Sequence, residues 1–241
     1  TAVFAPEKAI RGGVPLCWPQ FGPGALVQHG FARTSVFSIA ETGKSDNSVF
    51  VVLRLTENSK TLSLWPHQFQ LDLRVSIDTA PSKSPSLSMK LTATNKSSSA
   101  FSFTTALHSY YTTQHVHKAA VTSLQHLAYF DKVAQAEKVQ EDALVKVTAE
   151  TDRVYYKAPD TVQISNTEDK SQPIVVIEKS GFSDMVVWNP GEEKQKGMAD
   201  LSHWEPFICV EAGAIQTPIV VEPGQSWTGS QTIHSVLASA L

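Results

Sequence analysis

Three stretches of the chain hold residue types that can move protons or grip anions. In "FSFTTALHSYY", the period-two alternation of a strand puts Phe101, Phe103, Thr105 and Leu107 on one face. Ser102, Thr104, Ala106 and His108 fall on the other. His108 thus ends a small, polar face, where a sandwich would present an imidazole to a cleft; a hydrogen-bonded structural histidine fits the same pattern. In "FICVEAG", Phe207, Cys209 and Glu211 share a face. A carboxylate among apolar neighbours is costly to bury without a partner. Once desolvated, it keeps its proton to higher pH and can act as a base near neutrality. A glutamate that emerges at the strand end to meet a lysine is the alternative.

The third stretch, "IRGGVPLCWPQFGPGALVQHGFART" at residues 10–34, gathers Arg11, Gly12, Gly13, Gln28, His29, Gly30 and Arg33. Arginine presents a planar fork of donors suited to phosphate or carboxylate. Glycine lets backbone approach a ligand closely. This density of special residues points to a binding loop rather than to a loop with ordinary surface arginines. Two weaker signals remain. "ETDRVYYKAP" sets Asp152 beside Arg153, the pattern of a surface pair. "HVH" puts His115 and His117 on one strand face, but no third ligand accompanies them, so no metal site is assigned. The sequence contains no P-loop, GxSxG, HExxH or GxGxxG.

Strands must position these residues. In "FQLDLRVSI", Phe69, Leu71, Leu73, Val75 and Ile77 alternate with Gln70, Asp72, Arg74 and Ser76. "SLSMKLTAT" repeats the pattern, and "SVFVVLRL", "FSFTTALH", "QPIVVIEK", "SDMVVWN", "FICVEAG" and "SWTGSQTI" are further candidates. The separators "TAPSKSPS", "TNKSSSA", "SNTEDKSQ", "NPGEEKQKG" and "EPGQ" are turn-rich. One short helix is expected between Ala134 and Val147. Many strands and few helices predict an all-β fold, a large antiparallel β-sandwich, with residues 1–241 read as one domain.

The composition bounds the function. The 241 residues are 41% hydrophobic with a formal net charge of -3, which lacks the basic excess of a nucleic-acid binder. No run of about eighteen apolar residues implies a membrane span, and no leader pattern opens the chain. The two cysteines, Cys17 and Cys209, are read as free buried thiols in a reducing, cytoplasmic setting. The opening "TAVFAPEKAIRGG" runs straight into the densest motif, so a preceding segment of the parent protein is expected. No long exposed apolar pattern demands a dimer, and a monomer is expected.

Taken together, "IRGGVPLCWPQFGP", "QHGFAR", "ALHSYY", "DRVYYKAPD", "VVWNPG" with "KGMADL", and "CVEAG" followed by "PGQSWTG" occur in an order that resembles glucose-6-phosphate 1-epimerases. These are the hexose-6-phosphate mutarotases of the aldose 1-epimerase superfamily. The resemblance runs over essentially the whole chain. It implies a galactose mutarotase-like supersandwich with the sugar in an open cleft on one sheet, the family's first N-terminal strands lying before Thr1. Gly213 stands where the family carries a small residue, usually alanine. By the resemblance, His108 and Glu211 match the catalytic histidine and glutamate. Arg11, Gln28 and Arg33 match substrate-binding positions, Asp152 matches the aspartate of "DRVY", and His29 lies in the same motif as Gln28.

The chemistry so implied interconverts the α and β anomers of a hexose 6-phosphate, glucose 6-phosphate first among them. A base takes the C1 hydroxyl proton, an acid protonates the ring oxygen, the C1–O5 bond opens, and closure on the other face reverses the roles. Glu211 is expected as the base, and His108 as the acid, protonated in the resting complex with help from a neighbouring carboxylate. Asp152 would hold sugar hydroxyls, and Arg11 and Arg33 would clamp the phosphate. No cofactor or metal is needed, and the expected partner is the small sugar phosphate alone. Three rivals remain: a free-aldose 1-epimerase, a non-catalytic carbohydrate-binding sandwich, and a glycoside hydrolase. The last would need two carboxylates across the scissile bond.

Overall fold

The structure, a computed structural model, describes residues 3–4, 9–78, 85–167 and 173–236. The separators "TAPSKSPS" and "SNTEDKSQ" fall largely outside them. The first strands are β1 (Leu16–Cys17), β2 (Ser38–Ser45), β3 (Ser48–Thr56), β4 (Phe69–Asp78), β5 (Ser86–Asn95) and β6 (Phe101–Leu107). Then come β7 (Tyr110–Thr112), β8 (Ala119–Thr122), β9 (Ala128–Asp131), β10 (Ala136–Val139), β11 (Val145–Lys146) and β12 (Thr151–Tyr155). The last are β13 (Thr161–Asn166), β14 (Pro173–Ser180), β15 (Asp184–Asn189), β16 (Phe207–Val221) and β17 (Ser226–Ser235).

They form two antiparallel sheets. One runs β1-β6-β16-β15-β12-β9-β10, with β7 also on β16. The other runs β11-β8-β13-β14-β17-β5-β4-β3-β2. Every strand expected from alternation is present. In β4, Phe69 and Leu71 are buried against the facing sheet while Ile77 emerges to solvent at the far end. No helix among the described residues is long and apolar enough to cross a membrane.

The expected helix between Ala134 and Val147 is not there. This stretch holds β10 and β11 instead. The cause is local: the Asp131 carboxylate accepts from the backbone N–H groups of Val133 and Ala134, at 3.1 and 3.0 Å. That turn leads into a β9–β10 hairpin, with Ala136 opposite Asp131. A side chain that captures these N–H groups competes with helix formation. His115 and His117 likewise do not share a strand. His115 caps a 3-10 turn (Val116–Lys118) that contains His117; the two rings stack with centroids 4.7 Å apart, and the Val147 carbonyl lies 2.7 Å from His117 Nδ1.

The core between the sheets has two parts. One gathers Trp18, Phe31, Phe69, Leu71, Leu91 and Phe103; the other gathers Met185, Val187, Ile208 and Val210 against Val162, Ile164 and Ile177. The outer face of the first sheet is covered as well. Phe21 from the loop after β1 and Leu201 from the segment after β15 pack there with Cys17, Val154, Val186, Trp188 and Cys209. This explains why all six residues of β15 are buried. A strand covered on both faces reads as a continuous apolar run rather than an alternation.

The early loop is held by Trp18. Its carbonyl accepts from the N–H groups of Phe31 and Ala32, both at 3.1 Å, and it bridges to Gly30. Gly30 has φ +69°, and a Cβ there would sit 2.3 Å from the Trp18 oxygen, so only glycine fits. The Trp18 indole is fully buried among Phe31, Trp65, Phe69 and Phe103, with centroids 4.7–5.9 Å away. Trp18→Ala should cost about 3–5 kcal/mol through the cavity it leaves. A drop in thermal midpoint of roughly 6–20 °C by calorimetry is the expected result; a drop of a degree or two would mean that the loop, not the indole, organises this region.

Candidate active site

The site lies on the outer face of the first sheet, where strand register sets its rows. Val154, Val186 and Glu211 stand opposite one another across β12, β15 and β16; Asp152, Trp188 and Cys209 form a second row on the same strands. Leu107 pairs with Ala212, which brings His108, one residue past β6, beside Glu211. The His108 backbone N–H donates to the Pro15 carbonyl at 3.0 Å, tying the turn to the early loop. His108 Nδ1 then lies 3.3 Å from Glu211 Oε1, with side chains 8% and 1% exposed. The imidazole is stacked on Tyr110 (4.9 Å, 11°) and bordered by the edges of Trp188 and His29, each at 5.6 Å. Packing on three sides fixes the ring. Just beyond the pair, Gly213 avoids a contact: a Cβ there would meet Ile215 Cδ1 at 2.6 Å.

Above the pair opens a cavity of about 200 Å³, lined by Arg11, Gln28, His29, His108, Asp152 and Glu211 together with Phe21, Lys132, Val186, Trp188, Lys194 and Met198. The structure thus collects six of the seven residues singled out in the sequence. Arg33 is the exception. It does not line the cavity; its Nη2 donates to the Gln28 carbonyl at 2.9 Å and braces that residue from behind. Arg11 does reach the wall, oriented by Asp200, whose Oδ2 accepts from Nε at 2.8 Å. Asp152 and Arg153 are not a pair. Adjacent residues on β12 point to opposite faces: Asp152 meets Lys132 (3.8 Å) in the cavity, whereas Arg153 lies over the Tyr129 ring and reaches Gln140.

Sequence reasoning missed Lys132, Lys194 and Trp188. Trp188 stood inside a strand already recognised, at the same parity as Val186, so its face was legible. The lysines were not: Lys132 follows a short strand, and Lys194 sits in a one-turn helix (Gly191–Gln195) where it pairs with Glu150.

Burial sets the protonation of the site. It pushes the Glu211 carboxyl well above the usual carboxylate range, with the Asp152 charge adding to the push and Lys132 opposing it. It pushes His108 well below the usual imidazole range, with His29 and the arginines acting in the same direction. Both shifts favour a neutral imidazole beside a carboxylic acid. His29 is lowered to about 3, first by burial and then by Arg33, Lys132 and Arg11. Its Nδ1 accepts from the Gly22 N–H at 3.2 Å, so the single proton of the neutral ring sits on Nε2. Nε2 faces the Gln28 amide at 3.4 Å, which assigns the acceptor oxygen of that amide to the His29 side.

Residues 1–234 match the sequence model of the family described as aldose 1-epimerase. A protein of Cenchrus ciliaris provisionally named glucose-6-phosphate 1-epimerase is 37% identical over 99% of this chain and 74% of its own. One of Escherichia coli K12 with the same provisional name is 32% identical over 86% of this chain and 68% of its own. Among solved structures, a provisionally identified mutarotase from Salmonella typhimurium superposes with TM-score 0.85 at 29% identity, covering 97% of this chain and 77% of that one. A galactose mutarotase-like protein from Clostridium acetobutylicum, at 14% identity and TM-score 0.71, shares the fold.

Proposed function

The chain belongs to the aldose 1-epimerase family, and from that premise we propose that it interconverts the α and β anomers of a hexose 6-phosphate, glucose 6-phosphate first among them. The observation that carries the reading is the buried His108–Glu211 pair, 3.3 Å apart, at the floor of a cavity whose walls bring in Arg11, Lys132 and Lys194. The cavity is smaller than the roughly 300–1,000 Å³ of drug-sized ligand pockets; one sugar ring suits it better than a longer chain.

Ring opening moves one proton from the C1 hydroxyl to the ring oxygen. With Glu211 as base and His108 as acid, the pair enters the step as carboxylate and imidazolium and leaves it as carboxylic acid and neutral imidazole. Both forms hold one shared proton and no net charge. Burial favours the second, which is the form that accompanies the open-chain aldehyde. The same desolvation that favours the neutral pair thus pulls the cyclic sugar toward opening. Sugar hydroxyls meeting the two groups favour the charged form on entry, so the two states come close in energy. After rotation about C1–C2, closure runs the transfer backwards on the other face. His29, kept neutral, holds the Gln28 amide at the cavity wall through Nε2–H without competing for the proton. Asp152 accepts from hydroxyls, and Trp188 offers a flat apolar edge to the ring.

The cationic wall answers the phosphate. Arg11, already aimed by Asp200, and Lys132, not identified from the sequence, are assigned to it, with Lys194 at the rim. Arg33 is assigned a positioning role through Gln28. Hydrogen bonds to charged groups contribute about 1.5–3 kcal/mol, so Arg11→Ala should raise KM for glucose 6-phosphate roughly 10–100-fold and change the value for free glucose far less. Exchange NMR of both sugars over a range of concentrations tests this. Equal losses on the two sugars would point to a free-aldose epimerase instead.

A further inference from the structure

We propose that His108, Cys209 and Glu211 form a site for a thiophilic divalent metal ion of the Zn²⁺ type, and that occupation of this site stops anomer exchange. The second half rests on the function proposed above; the first does not.

One ligand atom from each of the three residues lies within 4.8 Å of the other two, and all three residues are buried. A tetrahedral zinc, with bonds of about 2.0–2.3 Å to nitrogen, oxygen and sulfur, separates its ligands by about 3.3–3.6 Å. The His108 Nδ1 to Glu211 Oε1 distance of 3.3 Å already meets this. From the 4.8 Å bound, the thiol need move no more than about 1.2–1.5 Å on the same scale. His108 Nδ1 and Glu211 Oε2 are also buried without a hydrogen bond, Nδ1 facing Glu211 Oε1 at 3.3 Å. Buried polar atoms left unsatisfied call for an explanation, and a metal ion would satisfy both.

Charge fits as well. Thiolate and carboxylate together balance a divalent cation, and imidazole completes the set without charge. Binding displaces the thiol and carboxyl protons to solvent, as metal–thiolate formation generally does. No bond other than these changes and no electron moves. The cavity above His108 and Glu211 supplies the entry path to these two ligands, with the buried Cys209 beneath them. A nitrogen–sulfur–oxygen donor set selects borderline-soft ions over Mg²⁺ or Ca²⁺. A bound ion removes the lone pair and the shared proton that ring opening uses.

Anaerobic titration with Co²⁺ as the probe tests the site directly. One equivalent should produce near-ultraviolet thiolate-to-cobalt absorption, and Cys209→Ser should abolish it; Cys209→Ala serves if the serine variant does not fold. Absence of the band in the folded wild-type protein, or its survival without Cys209, would overturn the assignment; survival would also implicate Cys17. Zn²⁺ should inhibit catalysed exchange reversibly on chelation, and Cys209→Ser should need at least tenfold more Zn²⁺ for the same inhibition. Lack of any catalysed exchange would sink the function and the inhibition together, while the cobalt spectrum would still decide the metal site.

Discussion

Glu211→Gln is expected to slow catalysed exchange between the anomers of glucose 6-phosphate by about 10²–10⁴-fold, the range that one positioned acid–base group supplies. The substitution keeps the shape of the side chain and removes its proton chemistry. Folding should hardly notice. Burial already keeps Glu211 neutral, so an amide of similar size replaces a carboxylic acid without adding or removing a buried charge. A thermal midpoint within a few degrees of wild type, together with near-background exchange, is the expected pair of results. His108→Ala should be as slow, and the double variant no slower than either single one, because the two groups pass one proton and act as a unit. Exchange NMR at several enzyme concentrations separates the catalysed rate from spontaneous mutarotation. A Glu211→Gln protein with more than a tenth of wild-type acceleration would remove Glu211 from the proton path. Additive losses in the double variant would mean that the residues serve separate steps.

What the sequence revealed about this site follows from where its side chains stand. His108 and Glu211 lie on or beside long strands, β6 and β16, whose alternation is unbroken in the relevant stretch; the face of each residue could be counted. The partnership between them is a matter of register, Leu107 against Ala212, between strands more than a hundred residues apart. Alternation within a strand carries no information about that. The fold class was legible for the same reason as the long strands. The strands from β7 to β13 were not, because each has only two to six residues, too few for a period to declare itself. The stretch from Ala134 to Val147, which holds β10 and β11, reads as a helix because the turn formed by Asp131 is invisible beside the apolar spacing that follows it. Arg33 shows the limit of reading function from residue type. A guanidinium suits a phosphate, yet this one is committed to the Gln28 carbonyl. Lys132 reaches the cavity only because β9 and β12 are neighbours.

Acid should destabilise the protein well before its carboxylates protonate, and His29 should be a main cause. The ring is held neutral in the folded state, lowered to about 3, whereas in the unfolded chain it titrates near 6.5. A group depressed on folding contributes stability that is fully present above its unfolded value and lost as pH falls toward its folded one. The window for His29 is therefore from about 6.5 down to about 3. Over the full window the loss is about 5 kcal/mol, and from pH 7 to 5 about 2 kcal/mol, at about 1.36 kcal/mol per pH unit. That corresponds to roughly 4–8 °C in thermal midpoint between pH 7 and 5. His108 is also depressed and acts in the same direction. Glu211 opposes both, since a raised carboxyl contributes stability at low pH that is lost as pH rises. Asp152, also raised, acts with Glu211, while His67 and Asp131, both lowered, act with the histidines. His29→Asn separates the terms: asparagine tolerates the positive φ of 68° at this position and does not titrate. Scanning calorimetry from pH 7 to 4 should give a shallower fall for this variant than for wild type, by about one proton in the slope. An unchanged slope would mean that His29 takes up its proton without unfolding, and so stands in the open cavity as a cation rather than as the neutral donor assigned to it.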